Sequence, residues 1–140
     1  MAIAAGDWLV AHGYELIADS GFANTVEMIK AVVRSHVALC EGQGDDLMGL
    51  ARLADSDYVS VCERKTGEAF ALAAELGALA ACADPVPYRR YGLDYGIVFQ
   101  MHDDISDGDS PRAAREVLKK LEMELAGSDV SKSIGEWYRT

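Results

Sequence analysis

Apolar residues recur at steps of three and four through most of this chain. Val26, Ile29, Val33, Val37 and Cys40 do so in one segment, and Cys62, Ala69, Ala73, Leu76 and Ala80 in another. Near the C-terminus Ala114, Val117, Leu118, Leu121 and Leu125 repeat the pattern. This is the period of a helix with one apolar face. No stretch alternates with period two and β-branched enrichment, and no hairpin dipeptide of the Asn-Gly type occurs. The pattern therefore predicts an all-α chain of five or six helices.

Breakers and caps set the expected boundaries. A first helix covers 2–19 and stops at Ser20-Gly21; a second covers 23–41, ended by Gly42 and Gly44. A short helix or turn occupies 45–54, and a long helix follows over 57–82, with Asp55, Ser56 or Asp57 as N-cap. Asp84-Pro85-Val86-Pro87 interrupts the chain, so the next helix starts near Pro87 and reaches about residue 107. Ser110-Pro111 opens a further helix that ends before Gly127, and 129–138 has room for a short last one. No internal repeat divides the chain, and its 140 residues read as one domain.

Composition narrows the function. Half the residues are apolar, enough for a packed core. The net charge of −10 and the lack of a basic run argue against nucleic acid or an anionic membrane as partner. No apolar run approaches the ~20 residues needed to span a bilayer, and no signal-peptide pattern opens the chain. Cys40, Cys62 and Cys82 show no zinc spacing; each lies in an apolar-periodic stretch and reads as a buried thiol in a reducing cytosol.

The richest chemistry lies in Phe99-Gln100-Met101-His102-Asp103-Asp104-Ile105-Ser106-Asp107. On a helix Asp103 and Asp107 stack on one face, with Asp104 beside them. Carboxylates so close call for a compensating cation, and a hard, oxygen-seeking ion such as Mg²⁺ suits them. The plainer alternative is a solvated acidic helix end. His102, His12 and His36 read as structural or solvent-facing.

Other segments lead up to this one. Ala5-Gly6-Asp7-Trp8-Leu9 and Tyr14-Glu15-Leu16 come first, then Gly42-Gln43 with Asp46-Leu47, then Lys65-Thr66-Gly67-Glu68-Ala69-Phe70. Glu75-Leu76-Gly77-Ala78 and Tyr91-Gly92-Leu93-Asp94-Tyr95-Gly96 complete the series. In this order they resemble the second half of the trans-isoprenyl diphosphate synthases, the polyprenyl synthetase family, over roughly residues 2–107. The resemblance implies half of an isoprenoid-synthase helical bundle, a prenyl diphosphate substrate and Mg²⁺. It makes Asp103, Asp104 and Asp107 the metal-binding set, with Asp103 and Asp107 the direct ligands. It assigns Lys65 to the allylic diphosphate, Thr66 to a place near the diphosphate or the reacting carbon, and Gln100 to the reacting chain. It also assigns Gln43, Phe70 and Phe99 to the substrate cavity.

The family's first aspartate-rich motif has no counterpart here, nor does the basic Gly-Lys segment that follows the second motif. The expectation is a half-length member: a cytoplasmic subunit of a split synthase, completed by a second chain that carries the first motif. The alternatives are a non-catalytic accessory subunit of a full-length synthase and a helical scaffold with no isoprenoid ligand. The small-residue faces of 71–81 also lead us to expect oligomerisation, homo-oligomers included.

Overall fold

A computed structural model describes residues 1–50, 55–108 and 114–132, and among them every regular element is helical. The helices are α1 (Ala2–Ala18), α2 (Thr25–Leu47), α3 (Asp55–Cys62), α4 (Glu68–Ala80), α5 (Pro85–Asp107) and α6 (Ala114–Gly127). A π-helical turn, Glu63–Gly67, joins α3 to α4 without a break. Residues 129–132 are helical too; the rest of the expected last helix and the Ser110-Pro111 opening of α6 lie outside the described residues.

The π turn explains which face of the 55–80 segment is buried. Tyr58 and Cys62 are buried at a helical step of four, and the next buried positions on that face are Gly67, Ala71, Glu75 and Ala78. The step from Cys62 to Gly67 is five, because an i→i+5 turn inserts one residue and rotates the face. A uniform helical period instead leads to Ala69 and Ala73, which are exposed.

The course of α2 also departs from the expected one. Gly42 and Gly44 do not end it; the helix runs through both to Leu47. Its buried face is Met28, Ala31, Ser35 and Gly42, and not the stripe of larger residues, since Val26, Val33, Val37 and Cys40 are exposed. Gly42 is needed for contact: a Cβ there would stand 2.5 Å from the Lys65 amide nitrogen. The backbone of α2 thus rests directly on the π turn.

α5 starts two residues earlier than expected. Pro85 takes the first turn, and the Asp84 carboxylate accepts from the Val86 N–H at 3.1 Å. Its glycines set its distance from α4. A Cβ on Gly92 would lie 2.5 Å from the Phe70 carbonyl oxygen, and one on Gly96 would lie 2.8 Å from the Gly67 Cα. The core joins α3, α5 and α6 through Tyr58, Cys62, Ile97, Met101, Ala114 and Leu118, with Val117 and Leu121 packed against it. The apolar period of the C-terminal segment therefore does mark its buried side.

A charged network ties α2, α4 and α5 together. Arg89 donates to Glu68 at 2.6 Å and to Glu75 at 3.2 Å, Arg34 donates to Glu75 at 2.5 Å, and the Ser35 hydroxyl donates to Glu68 at 2.9 Å. Both glutamates are buried, and each carries at least two donors, as buried carboxylates require. Of the cysteines only Cys62 is buried. Cys40 on α2 is exposed. Cys82 closes α4 at φ 54°, a left-handed residue where glycine is usual, and it faces solvent.

Candidate functional site

The π turn presents Arg64, Lys65 and Thr66 between α2 and α5. Arg64 pairs with Asp45, and the Lys65 ammonium donates to Asp46 at 2.7 Å. That hydrogen bond, together with the fields of Asp46 and Asp104, raises the Lys65 pKa above the ordinary lysine value despite partial burial. Lys65 is therefore a firm cation on the side of the fold that carries the acidic triplet.

Thr66 meets α5 directly: its hydroxyl donates to the Gln100 side-chain oxygen at 2.5 Å. The Gln100 amide donates to one Asp104 oxygen at 2.8 Å, and the Tyr58 hydroxyl donates to the other at 2.8 Å. Gln100 and Tyr58 are buried. Burial first, and then the bond to Asp104, push the Tyr58 pKa far above the ordinary phenol value; burial pushes Cys62 up to about 11.

The acidic triplet is thus divided. Asp104 turns toward Tyr58 and Gln100, whereas Asp103 and Asp107 are exposed and accept no hydrogen bond among the described residues. Phe99, Asp103 and Asp107 follow one i, i+4 ridge on the open side of α5, about 12 Å from end to end. Phe70 and Tyr95 extend the aromatic end, with ring centroids 5.4 and 5.5 Å apart for Phe70–Phe99 and Phe70–Tyr95. Among the described residues no three or more His, Cys, Asp or Glu side chains come together to hold a metal ion, and Asp103, Asp104 and Asp107 do not converge as the expected set of three. An exposed carboxylate pair suits Mg²⁺ even so. That ion keeps several waters and takes one or two carboxylates plus substrate phosphates, so it needs no all-protein cage.

Of the residues singled out from the sequence, Lys65, Thr66, Phe70, Phe99, Gln100, Asp103, Asp104 and Asp107 gather on the π turn, the start of α4 and the end of α5. Gln43 stands apart. It borders an apolar cavity of about 740 Å³ between α1, α2 and α4, with Leu9, Leu39, Leu72 and Leu76 in its wall. None of the other candidates lines that cavity. His102 is exposed and pairs with Glu122 at 2.9 Å. Sequence reasoning gave no role to Tyr58, and it met Asp46 only as part of a motif. The buried tyrosine carried one available signal, since a phenol in a core needs a hydrogen-bond acceptor.

Residues 1–123 match the polyprenyl synthetase family, and the chain belongs to that family. It is 34% identical over 113 residues to a short chain isoprenyl diphosphate synthase of Methanothermobacter thermautotrophicus, covering 76% of this chain and 35% of the relative. It is 32% identical over 136 residues to a geranylgeranyl diphosphate synthase of Methanosarcina mazei, covering 92% of this chain and 40% of the relative. A geranylfarnesyl diphosphate synthase of Natronomonas pharaonis is 31% identical over 117 residues, or 79% of this chain and 34% of the relative. The chain thus spans little more than a third of the length of these curated relatives. No solved structure gives a match. No described helix is long and apolar enough to cross a membrane.

Proposed function

We propose that this chain supplies one diphosphate-binding wall of a trans-prenyl diphosphate synthase, corresponding to the second-aspartate-motif half of the family. The observation that carries the reading is the exposed ridge Phe99–Asp103–Asp107 on α5, joined through the Thr66–Gln100 hydrogen bond to the π turn that carries Lys65. Its polarity matches an amphiphile with a diphosphate head and a hydrocarbon tail. Asp103 and Asp107 would hold Mg²⁺ on the head, and bound there the ion would offset the charge of the leaving diphosphate. Lys65 turns from Asp46 to a phosphate oxygen and adds a direct cationic donor. Phe99 and Phe70 cover the first carbons of the tail and keep water from the allylic cation. Thr66 and Gln100 set oxygen dipoles between these two ends.

In the split-enzyme reading a second chain brings the facing wall, with the first aspartate-rich motif. The exposed apolar surface supports an assembly of this kind or a homo-oligomer. No residue of α1 is buried, and Trp8, Leu9 and Leu16 on α1 join Val26, Val33 and Val37 on α2 in facing solvent. The test is incubation with isopentenyl diphosphate and allylic diphosphates, for the chain alone and with a synthase chain carrying the first motif. The expected result is little turnover alone and turnover in the complex, abolished by Lys65→Ala and by Asp103→Ala. The Lys65–Asp46 pair favours a second reading, a non-catalytic accessory subunit, because it already engages the lysine offered to the phosphate. Turnover that survives both substitutions would establish that second role.

A further inference from the structure

Both carboxylate oxygens of Asp104 are engaged. One carboxylate oxygen accepts from Tyr58 and the other from Gln100, both at 2.8 Å. The Tyr58 ring is itself fixed, being 4% exposed and packed in the cluster with Cys62, Ile97 and Met101. Its hydroxyl therefore has a set position, and it holds the carboxylate in one orientation. The carboxylate in turn decides which way the Gln100 amide points. Because the NH₂ group faces Asp104, the Gln100 oxygen must face Thr66, where it accepts the threonine proton at 2.5 Å. The order of donors is then complete: Tyr58 to Asp104, Gln100 to Asp104, Thr66 to Gln100. The links tie α5 to the continuous segment of α3 and the π turn at two points, Tyr58 and Thr66.

We infer that Tyr58 is a positioning residue for the site: through Asp104 it fixes the orientation of Gln100 and Thr66, and Asp104 serves as their anchor and not as a metal ligand. The consequence for the acidic motif is a division of labour. Exposed Asp103 and Asp107 keep their oxygens for a ligand, while Asp104 gives both of its oxygens to the protein. The metal half of this statement rests on the synthase reading above; the positioning half rests on geometry alone.

The experiment has two readouts on the purified chain. Tyr58→Phe removes the hydroxyl and keeps the ring in the core. Hydrogen exchange of the Gln100 side-chain amide, followed by NMR, is expected to be slow in the wild type and about tenfold faster in Tyr58→Phe and in Asp104→Asn. Melting temperatures, read alongside, separate this loss from global unfolding. Unchanged exchange in Tyr58→Phe would overturn the positioning role. The second readout is calorimetric binding of pyrophosphate with Mg²⁺. Asp103→Asn is expected to weaken binding about tenfold, and Asp104→Asn to weaken it clearly less. Equal weakening by the two substitutions would make Asp104 a ligand and overturn the division of labour. A wild type that binds no Mg-pyrophosphate would defeat the synthase reading, and the amide exchange would still decide the role of Tyr58.

Discussion

Alanine at Gly42 and at Gly44, two residues apart on α2, should change stability in opposite directions. At Gly42 the new Cβ meets backbone: 2.5 Å to the Lys65 nitrogen and 2.6 Å to the Arg64 carbonyl carbon, where ordinary contact begins at 3.4 Å. Relief needs a retreat of α2 by almost an ångström. The Ser35–Glu68 bond at 2.9 Å and the Lys65–Asp46 bond at 2.7 Å resist that movement. Overpacking of this kind costs about 1 to 3 kcal/mol. Replacing a mid-helix glycine returns about 1 kcal/mol, so Gly42→Ala is expected to lose up to about 2 kcal/mol net. At Gly44 nothing lies within 4 Å of the added carbon, and only the helix term remains, a gain of about 0.5 to 1 kcal/mol. With a urea slope of about 2 kcal/mol/M, the two midpoints should fall roughly 1 M apart, on either side of the wild type. The assay is urea unfolding followed by far-ultraviolet circular dichroism at fixed protein concentration, since assembly also adds stability. Gly42→Ala shifting the midpoint upward, as Gly44→Ala should, would refute the contact between α2 and the π turn.

Other expectations follow from the same packing. Arg89→Met leaves Glu68 and Glu75 short of a cationic partner in a buried setting and should cost about 3 kcal/mol in urea unfolding, whereas the half-exposed Arg34→Met should cost about 1 kcal/mol or less. Cys82→Gly relieves a left-handed residue that buries nothing; a gain of about 1 kcal/mol should appear by calorimetry, with no such gain from Cys82→Ala. A thiol reagent should label Cys40 and Cys82 at once and Cys62 only on unfolding. Because the folded Cys62 pKa is raised to about 11 from 9.0, its contribution to stability is complete below pH 9.0 and is lost as pH rises toward 11. Cys62→Ala should remove that part of the alkaline slope.

The sequence carried the fold class and α6 well, because the apolar period of α6 stays in phase, and it set the start of α5 within two residues of Pro85. It misled where glycine serves contact and not termination. Gly42 reads as a breaker in isolation, yet its lack of a Cβ is what lets α2 lie against Lys65. The larger α2 stripe, Val26, Val33 and Val37, was periodic and still exposed, since period shows that a helix has a face but not which neighbour covers it. The π turn was hidden for a related reason: one inserted residue leaves local composition unchanged and rotates everything after it. In the site, the ordered motifs were legible and most of their residues do gather. What holds Asp104 was not, because it depends on Tyr58, a residue 46 positions before its partner.

The central claim is that the open end of α5 and the π turn together hold a Mg²⁺-diphosphate group. Isothermal calorimetry with pyrophosphate, with and without Mg²⁺, tests it on the protein itself. The wild type should bind pyrophosphate measurably with Mg²⁺ and far more weakly without it. The Asp103→Ala, Asp107→Ala double variant should lose the Mg²⁺-dependent part. Binding by the double variant equal to that of the wild type would make the acidic end of α5 a solvated surface and contradict the claim.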